Sequence, residues 1–357
     1  MRKMERINMQ YFQYYNLFLL TKVNIYANLM YIPVQVKEIY MTGEQLKGRS
    51  LLTWLDYEAD EIRYFLELSK TVKAESRRGE VHRRFTGKTI ALLFEKRSTR
   101  TRCAFETAFG EEGGHPVFLS TLDIHLGVKE SLEDTARVLG RMFSAIEFRG
   151  FKQSTAETLA KYSGVPVYNG LTDDYHPTQA LADMLTMTEN FGDVRGRKLC
   201  FAGDGRNNVV RSLLVICSKL GLHLTIIAPK ELYPDPVLYA KCAEFAKRSG
   251  AEITVTSELG EVKGVDAIYT DVWASMGEED KKEERIRLLK PYQVNQALMN
   301  RTGRKDSIFL HDLPAVKGEE VTPDVIDGPQ SRAWDQAENR KHTIKAIMLA
   351  TLGCERD

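Results

Sequence analysis

Short apolar runs rich in β-forming residues recur along this chain with helical stretches between them, and that alternation limits the fold more than any other feature. The runs lie at 89–94, 117–119, 145–148, 165–168, 198–202, 222–228, 253–255, 267–269 and 307–310, and 156–162, 180–190, 208–220 and 236–249 read as helices between them. Strands alternating with helices indicate parallel sheets with crossover connections. The pattern predicts an α/β chain with two doubly wound parallel-sheet domains. Ligands then bind at strand carboxyl ends, in the cleft where the two domains meet.

The length of 357 residues allows two such domains, each with its own core. The polar, glycine-bearing stretch Phe191-Gly192-Asp193-Val194-Arg195-Gly196-Arg197 precedes a new strand and marks the boundary, giving domains at 41–190 and 191–338. Residues 1–40 differ in composition, with six Tyr and only Glu5 and Glu38 as acids. Their apolar run, Tyr15 to Leu20, is too short for a membrane span of roughly 20 residues. Lys37-Glu38 can be encoded AAGGAG, a bacterial ribosome-binding sequence, two codons before Met41. Residues 1–40 are therefore expected to be a leader or an upstream-start extension outside the fold, leaving 317 residues (357 minus 40).

Charge narrows the function. Fifty Lys plus Arg against 49 Asp plus Glu leave a formal +1, which argues against coating a nucleic acid and for a small, locally bound anion. The five cysteines, Cys103, Cys200, Cys217, Cys242 and Cys354, are scattered without a Cys-x-x-Cys pair, so neither a disulfide framework nor a structural zinc site is expected. A reducing cytoplasm fits that usage.

Several strand ends carry chemistry. Residues 90–94 run into Glu95-Lys96-Arg97-Ser98-Thr99-Arg100-Thr101-Arg102 and then a helix. A helix N-terminus with added hydroxyls and a fixed Arg100 charge suits a phosphate. Taken alone, the same residues also fit an ordinary Ser or Thr N-cap with solvated arginines. Arg149 ends a buried-looking strand, so its guanidinium should meet a phosphate or a carboxylate such as Glu147. His176 stands just before a proline-started helix, as a structural or a catalytic histidine. Gly203-Asp204-Gly205-Arg206-Asn207-Asn208 is a glycine turn without G-x-G-x-x-G spacing, a weak nicotinamide-dehydrogenase signal. The charged run 278–287 reads as a solvated helix face or a lid.

Taken in order, Ser98-Thr99-Arg100-Thr101-Arg102, Lys129-Glu130-Ser131, 134–141, Phe148-Arg149-Gly150, His176-Pro177-Thr178-Gln179, 271–277 and 337–343 resemble the aspartate/ornithine carbamoyltransferase family, over nearly the whole chain from Met41. The resemblance implies transfer of a carbamoyl group from carbamoyl phosphate to L-ornithine, giving L-citrulline and phosphate, or the reverse. It implies a carbamoyl-phosphate domain, an ornithine domain, a last helix at 339–352 that crosses back, and a homotrimer or assembly of trimers. Carried over, Ser98, Thr99, Arg100, Thr101 and Arg149 hold the phosphate, while Arg100, Thr101 and His176 polarise the carbamoyl oxygen. Gln179 contacts the carbamoyl amide and Arg340 lies beside it. Asn208 and Met276 take the acceptor's α-carboxylate, and Asp271 and Ser275 its α-ammonium. No cofactor, metal, nucleic acid or membrane is implied.

Two positions depart from the family pattern. His311-Asp312-Leu313-Pro314 replaces the family's His-Cys-Leu-Pro beside the ornithine side chain. Asp312 near Asp271 should push one carboxyl's titration upward unless a cation lies between them, and so Asp312 joins Arg100, His176 and Asp271 as a catalytic expectation. His125 stands where the family has a glutamine reaching the neighbouring subunit's phosphate. These departures keep open a different amine acceptor or a non-catalytic carbamoyl-phosphate-binding homologue.

Overall fold

The computed structural model describes residues 43–121, 124, 129–273 and 282–355. The expectation about 1–40, and the expected site residues His125, Ser275 and Met276, lie outside the described residues. Helix α1 (Ala59–Arg77) precedes a first run of β1 (Thr89–Phe94), α2 (Thr99–Glu111), β2 (His115–Ser120), α3 (Leu132–Met142), β3 (Ala145–Arg149), α4 (Gln153–Ser163), β4 (Val167–Leu171) and α5 (Pro177–Phe191). The four strands form one parallel sheet in the order β2-β1-β3-β4.

A second run holds β5 (Lys198–Ala202), α6 (Asn208–Leu220), β6 (His223–Ile227), α7 (Pro236–Ser249), β7 (Ile253–Thr256), β8 (Ala267–Thr270), α8 (Lys282–Leu289), α9 (Gln296–Arg301), β9 (Ile308–His311) and α10 (Pro323–Ile326). Its sheet is also parallel, ordered β7-β6-β5-β8-β9. Helix α11 (Ala333–Leu352) closes the chain and packs on α1, α2 and α5 beside the first sheet. Among the described residues, no helix is long and apolar enough to cross a membrane.

The sequence runs become central strands because they are apolar on both faces: Ile90, Ala91, Leu92 and Leu93 of β1 are all fully buried. Strand order reverses direction at β1/β3 in one sheet and at β5/β8 in the other, the places where an open parallel sheet leaves a crevice at its carboxyl edge. The expected elements differ mainly at their ends, while α1 and α3 are not among them. Strand β4 starts and finishes later, where pairing shifts register between Phe148 and Arg149, and α5 starts at Pro177, in its first turn. Helix α11 begins at Ala333, a turn and a half before residue 339.

Candidate active site

Strands β1 and β3 are adjacent and in register, so Phe94 pairs with Arg149 and both strand ends open on the start of α2. Ser98 is the N-cap of α2, its Oγ accepting the Thr101 amide at 3.2 Å. The capping reading and the anion reading are thus one geometry: a capped helix start with free N–H groups and Arg100 in its first turn. Arg149 is buried and donates to Thr101 Oγ1 at 3.2 Å; Arg340, from α11, donates to the same oxygen at 3.2 Å. Burial, then the neighbouring arginines, lowers Arg340 to about 10; burial, partly offset by Glu147, lowers Arg149 to about 10. Both remain cations at neutral pH. Crowded, desolvated cations of this kind call for an anion.

His176 ends the approach to α5, held by its own amide donating to Ser212 Oγ of α6 at 2.8 Å. Its Nε2 lies 3.4 Å from Arg340 Nη1, and its buried Nδ1 has no protein partner. Burial and then the arginines drive its titration well below 6.5, so the ring is neutral. With Nε2 facing a guanidinium donor, the proton sits on Nδ1, a buried donor without an acceptor among the described residues.

Glu147 is fully buried beneath this wall, and among the described residues neither of its oxygens has a hydrogen-bond partner. It therefore makes no ion pair with Arg149, although the two share a strand face. A Cβ on Gly170 would stand 1.9 Å from Glu147 Oε1, so the carboxyl requires glycine on the neighbouring strand. Burial raises its titration well above 4.5, against the pull of Arg149 and Arg340. The folded state thus keeps this proton to a higher pH than the unfolded chain, and stability is lost as pH rises from 4.5 through the folded value. Glu147→Gln mimics the neutral acid. Its melting temperature is expected to match wild type near pH 4 and to exceed it at pH 8; a gap that does not grow between the two would show the carboxyl is ionised in the fold.

Across the cleft, β5 ends at Gly203, whose φ of 150° favours glycine, and Asn207 caps α6 through Oδ1 to the Val210 amide at 2.8 Å. Asn207 Nδ2 also donates to Asp271 Oδ2 at 3.0 Å, at the end of β8. At the end of β9, His311 places its Nδ1 3.5 Å from Asp312 Oδ1 and its Nε2 3.2 Å from the buried Glu320. Ligand atoms of Asp271, His311 and Asp312 all lie within 4.8 Å of one another, a spacing that suits a cation. Burial and then the Asp312 charge push Asp271 well above its ordinary value. Burial acts on Asp312 too, but contact with His311 and the charge of Arg100 outweigh it, and Asp312 keeps the pair's negative charge. Leu313 sits at φ 61°, unusual for a side chain of its size; its amide donates to His311 Nδ1 at 2.8 Å and its carbonyl accepts from Arg100 at 2.5 Å.

The two walls enclose a cleft of about 1060 Å³. Ser98, Thr99, Arg100, Thr101, Arg149, His176, Asn208, Asp271, Asp312, Leu313 and Arg340 all line it. Gln179 stands one layer back, with Oε1 accepting from Arg340 at 2.7 Å and Nε2 donating to Asp183 at 2.8 Å. Asn208 lines the cleft but donates its amide to the Thr172 carbonyl at 2.6 Å, while its neighbour Asn207 is the residue on Asp271. Lys96, also on the wall, pairs with Asp173 at 2.6 Å. Sequence reasoning passed over Lys96 and Asn207, although the doubled asparagine at a helix start was a visible N-cap signal.

Two family models match the chain, one after the other. The carbamoyl-P binding domain of aspartate/ornithine carbamoyltransferase matches residues 49–189, and the Asp/Orn binding domain matches 195–351. The chain belongs to the aspartate/ornithine carbamoyltransferase family. Within that family it is 68% identical over 308 residues to an ornithine carbamoyltransferase of Caldanaerobacter subterraneus, covering 86% of this chain and 98% of that one. A catabolic ornithine carbamoyltransferase of Bacillus licheniformis is 53% identical over 326 residues, covering 86% and 97%. Among solved structures, ornithine carbamoyltransferase from Pyrococcus furiosus superposes with a TM-score of 0.84 at 45% identity, covering 86% and 98%. The carbamoyltransferase architecture, two parallel sheets flanked by helices, is therefore the fold read from the strand pattern.

Proposed function

We propose that this chain transfers the carbamoyl group of carbamoyl phosphate to the δ-amine of L-ornithine, forming L-citrulline. The observation that carries the reading is the polarity of the cleft: Arg100, Arg149, Arg340 and a helix start on one wall, and the Asp271–Asp312 pair on the other. A dianion fits the first and an alkylammonium the second. The uncharged δ-amine attacks the carbonyl carbon, the new C–N bond forms, and the C–O bond to phosphorus breaks. The one proton the amine nitrogen gives up passes to the departing phosphate, which leaves as the hydrogen phosphate dianion. Arg100, Thr101 and His176 face the developing charge on the carbonyl oxygen, while Ser98, Thr99, Arg149 and the start of α2 take the phosphate. Arg340 adjoins the carbamoyl amide, with Gln179 behind it. Holding both reactants in place can supply roughly 7–11 kcal/mol of barrier lowering, which suits a site without a nucleophile.

On this reading residues 41–190, with 339–352 returning to them, bind carbamoyl phosphate, and 191–338 bind ornithine, with Asn208, Ser275, Met276 and Leu313 around its α-amino acid end. The chain works in the cytoplasm of arginine metabolism as a homotrimer or an assembly of trimers, with His125 reaching a neighbouring subunit's phosphate. Asp312 favours one second reading, a different amine acceptor, because a carboxylate beside Asp271 alters the charge that meets the amine.

Carbamoyl transfer to ornithine, putrescine and lysine, compared for wild type and Asp312→Cys, tests both. The expected result is ornithine turned over fastest by wild type. Faster wild-type turnover of another amine would favour the second reading, and activity appearing only in the cysteine variant would sink both.

A further inference from the structure

Asp183 is a buried carboxyl that links the two walls of the cleft. It lies in the middle of α5, fully buried, and lines no part of the cleft itself. Its Oδ1 accepts two side-chain amides, Gln179 Nε2 at 2.8 Å and Gln336 Nε2 at 2.6 Å, and also the Tyr269 hydroxyl at 3.5 Å. Each glutamine, its NH2 fixed in this way, has only its carbonyl oxygen left to aim. Gln179 Oε1 faces Arg340 at 2.7 Å, and Arg340 in turn donates to Thr101 at the start of α2. Gln336 Oε1 accepts the His311 amide at 2.9 Å, immediately before Asp312. The acceptor arm then closes on the donor wall, through the Leu313 amide on His311 and Arg100 on the Leu313 carbonyl.

We infer that Asp183 is a positioning residue: by holding Gln179 and Gln336 through one oxygen, it sets the arginine wall and the Asp312 wall in register for carbamoyl transfer. This rests on the reaction proposed above. The acceptor oxygen is what matters, because the second oxygen, Oδ2, has no partner. An orphaned buried oxygen costs folding free energy, so stability does not account for it. No substrate contact is assigned to Asp183, so removing it should misalign bound reactants without weakening their binding, and misplacement by about 1 Å can cost ~10²-fold in rate.

The test compares Asp183→Leu, which removes the acceptor, with Asp183→Asn, which keeps an oxygen at Oδ1 and puts its NH2 where Oδ2 was. Steady-state kinetics on the full chain are normalised to the folded fraction by circular dichroism. Asp183→Leu is expected to lose about 30- to 100-fold in kcat with each KM within about threefold, and Asp183→Asn to keep kcat within about threefold of wild type. A purely structural role would lower the melting temperature and leave kcat per folded molecule unchanged, which overturns the inference, as does Asp183→Asn failing as badly as Asp183→Leu. Should Asp183→Leu not fold, Gln336→Leu cuts the acceptor arm alone; about a tenfold kcat loss with unchanged carbamoyl-phosphate KM supports the inference, and no kcat loss overturns it. A wild type inactive with every amine would overturn the proposed reaction, whereas an active wild type with indifferent variants overturns only the role of Asp183.

Discussion

Arg100→Met should lower kcat/KM for carbamoyl phosphate by about 10³-fold, with the fold intact. Arg100 sits in the first turn of α2, so its full charge adds to the helix's own positive end at the place where a phosphate would lie. Burial lowers its titration while Asp312 and Asp271 raise it, which places the guanidinium in the field of both carboxyls. Methionine keeps the stem and deletes the charge together with the hydrogen bond to Leu313. Removing one preorganised donor alone costs about 10²–10³-fold, and loss of the phosphate's counter-charge adds to it. Lysine should not rescue, because a point charge cannot serve a phosphate oxygen and a carbonyl with the same fork. Initial rates over a carbamoyl-phosphate series, with a melting curve for each variant, measure the effect; a loss under tenfold would remove Arg100 from the transition state.

The strands were legible because burial on both faces leaves an unbroken apolar signature, and the strand ends were legible because Arg149, Gly203 and Asp271 follow such runs. What stayed hidden shares one physical cause. Asp183 and Gln336 are polar residues inside helices, where local sequence suggests solvent, and their partner is 153 positions away. Glu147 looked like the mate of Arg149 because alternate strand residues share a face. Both do point toward the same buried layer, but there burial keeps the acid protonated, and it has no hydrogen-bond partner among the described residues. Pairing across α5, β9 and α11 is a product of tertiary packing, which periodicity does not encode. Asp312 was visible only as a departure from the family's cysteine; its contact with His311, and the Glu320 behind that ring, needed the fold.

On the acceptor wall, Asp271→Asn should lower kcat/KM for ornithine by about 10²–10³-fold, the usual cost of truncating one member of a desolvated charge pair. Asp312→Asn should cost less and should also move the pH profile. The sign follows from the pair. Asp271 is protonated to unusually high pH, first because it is buried and next because Asp312 beside it is negative. A protonated Asp271 does not balance an ammonium, so activity rises with pH as that proton leaves. Deleting the Asp312 charge removes one cause of the raised value, and the acidic limb of log kcat/KM shifts to lower pH. Burial still acts on Asp271, so the limb does not return to the ordinary carboxylate range. The plateau falls, since the ammonium meets one negative charge where it had met two. Profiles from pH 5.5 to 9 for wild type, Asp271→Asn and Asp312→Asn separate these effects. Superimposable acidic limbs for wild type and Asp312→Asn would mean that the carboxyls titrate independently, and that the aspartate in place of the family's cysteine leaves the chemistry of the amine untouched.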